Sequence, residues 1–498
     1  MKTLVPNYYI LEKDKKKSWM DFFSFPFRLV AWPVTFILKR AIINVALGPD
    51  ELRLQKAIHT IFLTDDRNEK GTVIVNLLPS KADKAPKSYF AKMSPFAAKK
   101  KARQLSFDNP THKAYVDSMI NELGHLLSGT SKQDKCANKK FAIEDLHLKG
   151  LERLDTNLAN YFKETVCQRF GQDFMDRPRT SPMNFYTLET ADRARLESVE
   201  IASPEEKSKP MAERKFLITC MARNQNYMYW LKDLNISAKN IGCTVVGFNY
   251  RGLDYSMGRA WTQDDMTNDV LAQAQRLMQL GAKPENIALE GMSFGAAIAT
   301  LSAAKMHEQG FKVHLYNERS YRSFVRLLVG YVMPRSDSSL WNPLNWLKYG
   351  VVGLAYVLIA PIVRLAGWHI DAASAWDRIP YTHKSYAVAR NHKNPLQHDD
   401  DELVHDSYSS IASLMDQHRA EIKQKHKQGI ALTVGEQKLL ADKASKHEFT
   451  LDRDDKLNII PLPHSAPRRF MRDTATNKKT LHTHMIESLR QQLNICSV

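Results

Sequence analysis

Along the chain the spacing of apolar positions changes character near residue 180. Before it, apolar residues recur mainly at intervals of three and four, as in Leu146, Leu148, Leu151, Leu154, Leu158 and Phe162. That spacing predicts helices over Glu51–Phe62, Lys113–Leu127 and Ile143–Phe170. The stretch Leu77–Ala102, rich in Lys, Pro and Ala, reads as an exposed loop. From Asn184 the apolar runs shorten. Residues 184–202 predict two strands around a polar turn at Ala191-Asp192-Arg193. Further strands follow at Lys215–Met221, Thr244–Asn249, Ile287–Leu289, Val313–Tyr316 and Ser385–Ala389, with helices at Met266–Leu280 and Ala296–Met306 between them. Strands this short and this apolar, alternating with helices, predict a mostly parallel sheet covered on both faces, an α/β architecture. No internal repeat interrupts the pattern. The chain thus divides into an amino-terminal segment (1–50), a mainly helical accessory region (51–182) and an α/β domain (183–498).

Composition narrows the classes. At 498 residues the chain is long enough for two or three domains of ~150 residues. Its 43% apolar and 25% charged residues exclude global disorder and collagen-like or mucin-like chains. Five scattered cysteines without a CxxC pair argue against a disulfide framework or structural zinc and fit free thiols in a reducing compartment. The net charge of +17 is uneven: residues 1–110 carry 20 Lys and Arg against 10 Asp and Glu. Basic clusters at Lys13, Lys15, Lys16, Lys17 and at Lys99, Lys100, Lys101, Arg103 flank the aromatic and aliphatic stretch Trp19–Leu47. Its longest uncharged run, Leu29–Leu38, is too short to span a bilayer, and no small-residue cleavage site marks a signal peptide. Lysines beside Trp and Phe fit an anionic membrane surface better than nucleic acid. A solvated face, or a segment packed on the core, is the competing reading.

The sharpest chemical motif is Gly291-Met292-Ser293-Phe294-Gly295. A strand runs into it and an alanine-rich helix runs out. This strand–turn–helix setting is that of a nucleophile elbow, where a serine sits on a sharp turn and its neighbours two residues away must be small. The segments CTVVGFNYRGLDYSMG (residues 243–258) and NIALEGMSFGAA (286–297) resemble the α/β-hydrolase superfamily. Residues Asn317–Ser323, NERSYRS, with Gly367-Trp368, resemble a narrower group, the chlamydial CHLPS virulence-protein family and the related SidB/SdbB family of Legionella Dot/Icm substrates. That group would carry Asp where this chain has Glu318. The resemblance covers roughly Asn184–Leu493. It implies an α/β-hydrolase fold with an inserted cap, and an effector delivered into a host cell by a type IV system, cytosolic or peripheral to a membrane. It leaves any host protein partner unidentified.

A serine hydroxyl needs a histidine to take its proton, and the histidine a carboxylate to orient it. The superfamily order is Ser, acid, His. After the strand Ser385–Ala389 comes a polar loop with Asp399, Asp400 and Asp401, and the superfamily pattern of an Asp, two residues, then an aliphatic matches Asp401 with Val404. Asp399 and Asp400 are close rivals and Glu318 a weaker one; the acidic run also suits a solvated turn or a cation site. His464 falls between an expected last strand, Leu457–Pro461, and a closing helix, Thr480–Leu493. His447 precedes that strand, while His482 and His484 lie within the helix pattern and read as surface residues. For the oxyanion hole the backbone N–H groups of Phe294 and Arg223 are in position, although the loop Met221–Tyr227 lacks the His-Gly usual in lipases.

Between about 325 and 380 the chain inserts a cap containing Tyr349–Val363, fifteen uncharged residues interrupted by Pro361. Such a run walls an acyl pocket, touches membrane, or packs as a buried cap helix. Together with the basic, aromatic amino terminus it favours a lipid ester, phospholipid or lysophospholipid, as substrate over a small polar ester. Acyl-protein thioesters and neutral esters stay open. The expected activity is two-step acyl transfer by a Ser293–Asp401–His464 triad. With no HExxH, P-loop or GxGxxG motif, neither metal nor redox cofactor is expected. The alternative is a non-catalytic α/β-hydrolase scaffold that binds membrane or a host protein.

Overall fold

The computed structural model describes residues 58–62, 71–76, 105–131, 140–149, 151, 154–176, 183–202, 204–223, 225–253, 256–330, 343–390, 401, 403–404, 408–451, 464, 467–474, 476 and 478–495. The amino-terminal segment, the basic clusters, the Leu77–Ala102 loop, Asp399, Asp400 and the Leu457–Pro461 strand lie outside them. In the accessory region, strands replace part of the expected helix. β1 (Ile58–Phe62) occupies the second half of Glu51–Phe62, and β2 (Gly71–Asn76) pairs antiparallel with it and parallel with β3 (Leu146–Lys149). The helix expected over Ile143–Phe170 is likewise divided. Leu146 and Leu148 are two apart, which is strand spacing, and the helix starts only where the Asp155 side chain accepts from Leu158 N at 2.7 Å. Among the described residues of this region the helices α1 (Pro110–Ser128) and α2 (Thr156–Phe170) share a cluster built from Val116, Ile120, Leu123, Leu158 and Phe162. Asn109 caps α1 and Gly129, at φ 77°, ends it.

The α/β domain is organised by a nine-stranded sheet. Its strands are β4 (Met183–Glu189), β5 (Arg195–Ile201), β6 (Phe216–Cys220), β7 (Thr244–Phe248), β8 (Ile287–Met292), β9 (His314–Glu318), β10 (Lys384–Ala389), β11 (Glu448–Leu451) and β12 (Met471–Asp473), in the spatial order β4-β5-β7-β6-β8-β9-β10-β11-β12. β5 runs antiparallel to both neighbours and β12 antiparallel to β11; the strands between are parallel. This order, with the elbow after β8, is the α/β-hydrolase topology. Every position of β6 and β7 is buried, and alternate residues serve opposite faces. Phe216, Ile218, Val246 and Phe248 pack towards α5 (Gln263–Gln279) and α6 (Phe294–Glu308), while Leu217 and Val245 pack towards α4 (Leu231–Ile241) and α12 (Leu481–Gln492). A short α3 (Pro204–Ser208) precedes β6.

Two insertions interrupt the alternation. Between β9 and β10 lie α7 (Phe324–Gly330), α8 (Pro343–Leu365) and α9 (Ala372–Asp377). Between β10 and β11 lie α10 (Ile411–Lys427) and α11 (Val434–Ala441), a helical pair that the sequence pattern did not announce. The strand that follows the second insertion is β11, immediately after His447; β12 comes after His464, so that histidine precedes the last strand, and the expected Leu457–Pro461 strand lies outside the described residues.

Histidines are buried in the sheet's surroundings. His314 stacks on His383 at 5.1 Å between ring centroids, with His307 edge-on to the same ring at 5.3 Å. His484, expected at the surface, is buried instead; its Nδ1 lies 3.1 Å from the Tyr316 hydroxyl. Burial, followed by neighbouring imidazoles, pushes His314 down to about 4 and His484 to about 3. Their folded-state values lie below the unfolded value of about 6.5, so the folded protein holds them neutral. Stability is therefore full above that value and is lost as pH falls towards the folded-state values. We expect the thermal midpoint to fall progressively between pH 6.5 and 4. A His484→Gln variant should show a shallower decline, whatever its midpoint at neutral pH; parallel scans by differential scanning calorimetry check this.

Candidate active site

Ser293 links β8 directly to α6 with φ 56° and ψ −119°, a left-handed-side conformation that only a surrounding framework maintains for a residue with a Cβ. Its backbone N–H donates to the Glu318 carbonyl at 2.8 Å, and its own carbonyl accepts from Ala297 N at 3.2 Å. The flanking glycines are required by contact. A Cβ on Gly291 would lie 2.5 Å from the Gly295 carbonyl carbon, and one on Gly295 would lie 2.1 Å from the Cys220 oxygen and 2.6 Å from that of Met221. The amino end of α6 is thus pressed onto the end of β6. Phe294, the first residue of α6, is buried and packs edge-on to Tyr250 at 6.4 Å. As a first-turn residue its N–H has no partner within the helix.

Asp401 and His464, which are 63 residues apart in sequence, meet in the fold. His464 Nδ1 donates to both carboxylate oxygens of Asp401, at 2.8 Å to Oδ1 and 2.6 Å to Oδ2. Both residues are buried. Asp401 Oδ1 also accepts from the backbone N–H of Leu403 at 2.9 Å and of Val404 at 3.1 Å, and Val404 is buried in the core. The aliphatic residue three positions on therefore seats the turn that aims the carboxylate. Glu318 is engaged elsewhere. It is fully buried, with Oε1 accepting from Arg319 Nε at 3.0 Å and Nη2 at 2.5 Å, and Oε2 lying 2.6 Å from Arg468 Nε. Burial would raise its pKa, but the two guanidinium groups outweigh burial and hold it below the usual carboxylate range. Arg468 also pairs with Glu290, whose Oε2 accepts from the Thr219 hydroxyl at 3.1 Å.

Arg319 is a residue that motif reading did not single out by itself, although it stands inside the NERSYRS segment. Its backbone sits at φ 51° with N–H donating to the Ala387 carbonyl at 2.8 Å. Its guanidinium donates to the His464 carbonyl through Nη1 at 2.7 Å and contacts Met292 Sδ through Nη2 at 2.9 Å. Arg223 is exposed. It follows Ala222, whose N–H donates to Gln225 Oε1 at 3.3 Å and whose carbonyl accepts from Gln225 N at 3.1 Å, a tight turn beside the elbow. His447 binds Asp442 and the Tyr386 carbonyl. Among the described residues no cluster of three or more His, Cys, Asp or Glu is arranged to hold a metal ion.

No family model matches the chain, and no curated protein matches it. Solved structures do. An α/β-hydrolase from Vibrio vulnificus aligns at 14% identity and TM-score 0.30, covering 44% of this chain and 65% of that one. A Pyrococcus furiosus esterase aligns at 15% identity and TM-score 0.30, over 47% of this chain and 77% of that one. A Xanthomonas campestris α/β serine hydrolase without a lid aligns at 21% identity and TM-score 0.23, over 32% of this chain and 66% of that one.

The contact at Gly295 makes a sharp prediction. Gly295→Ala has no space to relax, because the opposing atoms are backbone, and should lower unfolding free energy by roughly 1–3 kcal/mol or more in urea titrations. Gly353→Ala, on α8 with nothing within 4 Å, should be neutral or slightly stabilising.

Proposed function

We propose that the chain is a serine hydrolase that cleaves carboxylic esters, with Ser293 as nucleophile, His464 as general base and Asp401 as the orienting acid. The observation that carries this reading is the strained Ser293 at a strand-to-helix corner, in a fold that also buries a hydrogen-bonded Asp401–His464 pair. His464 Nδ1 is committed to Asp401, so Nε2 is the nitrogen that takes the Ser293 proton. Ser293 Oγ then bonds to the ester carbonyl carbon, and the carbonyl electron pair moves onto oxygen. The N–H groups of Phe294 and Arg223 stabilise that oxyanion. Collapse of the intermediate breaks the ester C–O bond, and His464 protonates the departing alkoxide. Water, deprotonated by His464, then attacks the acyl-enzyme carbonyl; its collapse frees the acid and returns the proton to Ser293.

The substrate class we infer is a lipid ester of the lipase or phospholipase type, met at an anionic membrane surface. Its support is α8. Over residues 350–363 this helix is uncharged and largely exposed, with Leu354 60%, Val357 66% and Leu358 58% exposed, while Val352 and Val363 anchor it to the core. Among the described residues no helix is long and apolar enough to cross a membrane, so contact through α8 is interfacial. By the resemblance of its NERSYRS segment we also propose that the protein is delivered into a host cell as an effector. A second reading, a non-catalytic scaffold using the same surface, is favoured by one observation: the loop after β6 reads Met221–Tyr227 without glycine.

Fluorophosphonate labelling separates the two. We expect labelling of the wild type, its loss in Ser293→Ala, and strong reduction in His464→Ala. Asp401→Asn should lower ester turnover on the order of 10²–10⁴-fold. A folded wild type that resists labelling, with or without vesicles, would favour the scaffold. Replacing Leu354, Val357 and Leu358 together by Ser should weaken sedimentation with anionic vesicles at least about tenfold while leaving hydrolysis of a soluble short-chain ester intact.

A further inference from the structure

Two acidic and two basic side chains gather in one cluster: Glu290, Glu318 and Arg319, all buried, and the partly exposed Arg468. Three of these have an evident structural role. Arg468 joins Glu290 on β8 to Glu318 on β9, and its Nη1 contacts Met485 Sδ on α12, so it ties two strands to the closing helix. Arg319 is different. Its guanidinium satisfies Glu318 and then extends to two atoms beside the reacting groups: the carbonyl of His464 itself and the sulfur of Met292, the residue before Ser293. The same short segment holds the nucleophile by its backbone, since the Glu318 carbonyl accepts from Ser293 N. Residues 318 and 319 therefore grip both sides of the proposed proton transfer. Asp401 controls where the His464 ring points; a bond to the His464 carbonyl controls where its backbone stands.

We propose that Arg319 is a positioning residue for the acyl-transfer reaction, setting the separation of His464 from Ser293 by bridging the His464 carbonyl, the Met292 sulfur and the Glu318 carboxylate. This rests on the serine hydrolase reading above. The left-handed backbone at Arg319 serves the bridge: with N–H pinned to Ala387, φ 51° accompanies a side chain that lies across the ends of β8 and β9. Planarity and multiple donors suit arginine to this task; lysine could satisfy only part of the set. The segment NERSYRS thus acquires a function in its third residue.

Arg319→Met removes every donor at similar length. Glu318 keeps Arg468 on its other oxygen, so the substitution leaves a partnered carboxylate and a foldable protein. With the full-length protein and a soluble p-nitrophenyl ester, we expect kcat to fall roughly 10–100-fold with KM within about threefold of wild type, as a small displacement of a catalytic group produces. The fluorophosphonate labelling rate should fall in parallel, and the downfield proton resonance of the His464–Asp401 bond should shift or broaden. Arg319→Lys should recover part of kcat and provides the measurement if the methionine variant is insoluble. Arg468→Met, which strips the same carboxylate of its other guanidinium, is the matched structural control. It should lower the thermal midpoint yet keep kcat within about threefold. The proposal is overturned if kcat of Arg319→Met stays within threefold of wild type. It is also overturned if both arginine variants lose kcat only in proportion to their loss of folded protein. Activity that survives Ser293→Ala would instead overturn the site assignment, and the proposal with it.

Discussion

Helix α6 meets the end of β6 with no interposed side chain, and the geometry of the site follows from that contact. A Cβ at Gly295 would stand 2.1 Å from the Cys220 oxygen, so the helix can begin there only on glycine. Because β8 enters from the neighbouring position in the sheet, the chain must reverse within one residue to start α6 on this line. Ser293 takes the strain of that reversal at φ 56°. It stands at the end of β8, between strand and helix, for the same reason that its backbone is unusual. The turn from Met221 to Gln225 is drawn beside it, since the Met221 carbonyl is among the atoms that crowd Gly295. Packing density, rather than a hydrogen-bond network, thus generates the local arrangement.

Charge holds the second layer. Glu290 and Glu318 are buried between two arginines of matching number, a set whose net charge is zero and whose members reach β8, β9, the loop after β9 and the segment before β12. Buried ion pairs contribute little net stability compared with well-packed apolar residues, but breaking one side is costly and their directionality discriminates among arrangements. Here they fix one alignment of strand ends against the segment that carries His464. A second charged set ties other elements together: buried Arg251 in the turn after β7 binds buried Asp269 on α5 and the exposed Asp192 in the β4–β5 turn.

Much of this was legible in the sequence where local rules coincide with tertiary requirements. The glycines of the elbow are spelled out because no other residue fits, and Asp401, matched through the superfamily pattern with Val404, bonds His464 while its rivals Asp399 and Asp400 lie outside the described residues. The strands from β4 to β10 were legible because both faces are covered, whereas the short β11 and β12 at the sheet edge were not. Where two periodicities overlap, local spacing does not distinguish strand from helix. Leu146 and Leu148 belong to a strand, and only the Asp155 cap marks the change to helix. His484 looked like a surface residue of an amphipathic helix, yet the Tyr316 hydroxyl gives it a buried partner that is 168 residues away. Arg319 was invisible for the same reason. Its acceptors, including a main-chain carbonyl 145 residues later, leave no mark on local composition.

The three helices between β9 and β10 and the helical pair between β10 and β11 carry an evolutionary consequence. Both enlarge crossover connections while leaving strand register untouched: β9 and β10 still pair from Lys384–Leu315 to Ala387–Glu318. Lengthening a connection costs only slowly increasing closure entropy, roughly 0.6 kcal/mol per doubling. Drift, insertion and recruitment of new surface can therefore proceed at these connections without reopening the geometry at the strand ends. Specificity would then diversify at the rim of the fold while the residues gathered beneath it remain under one common constraint.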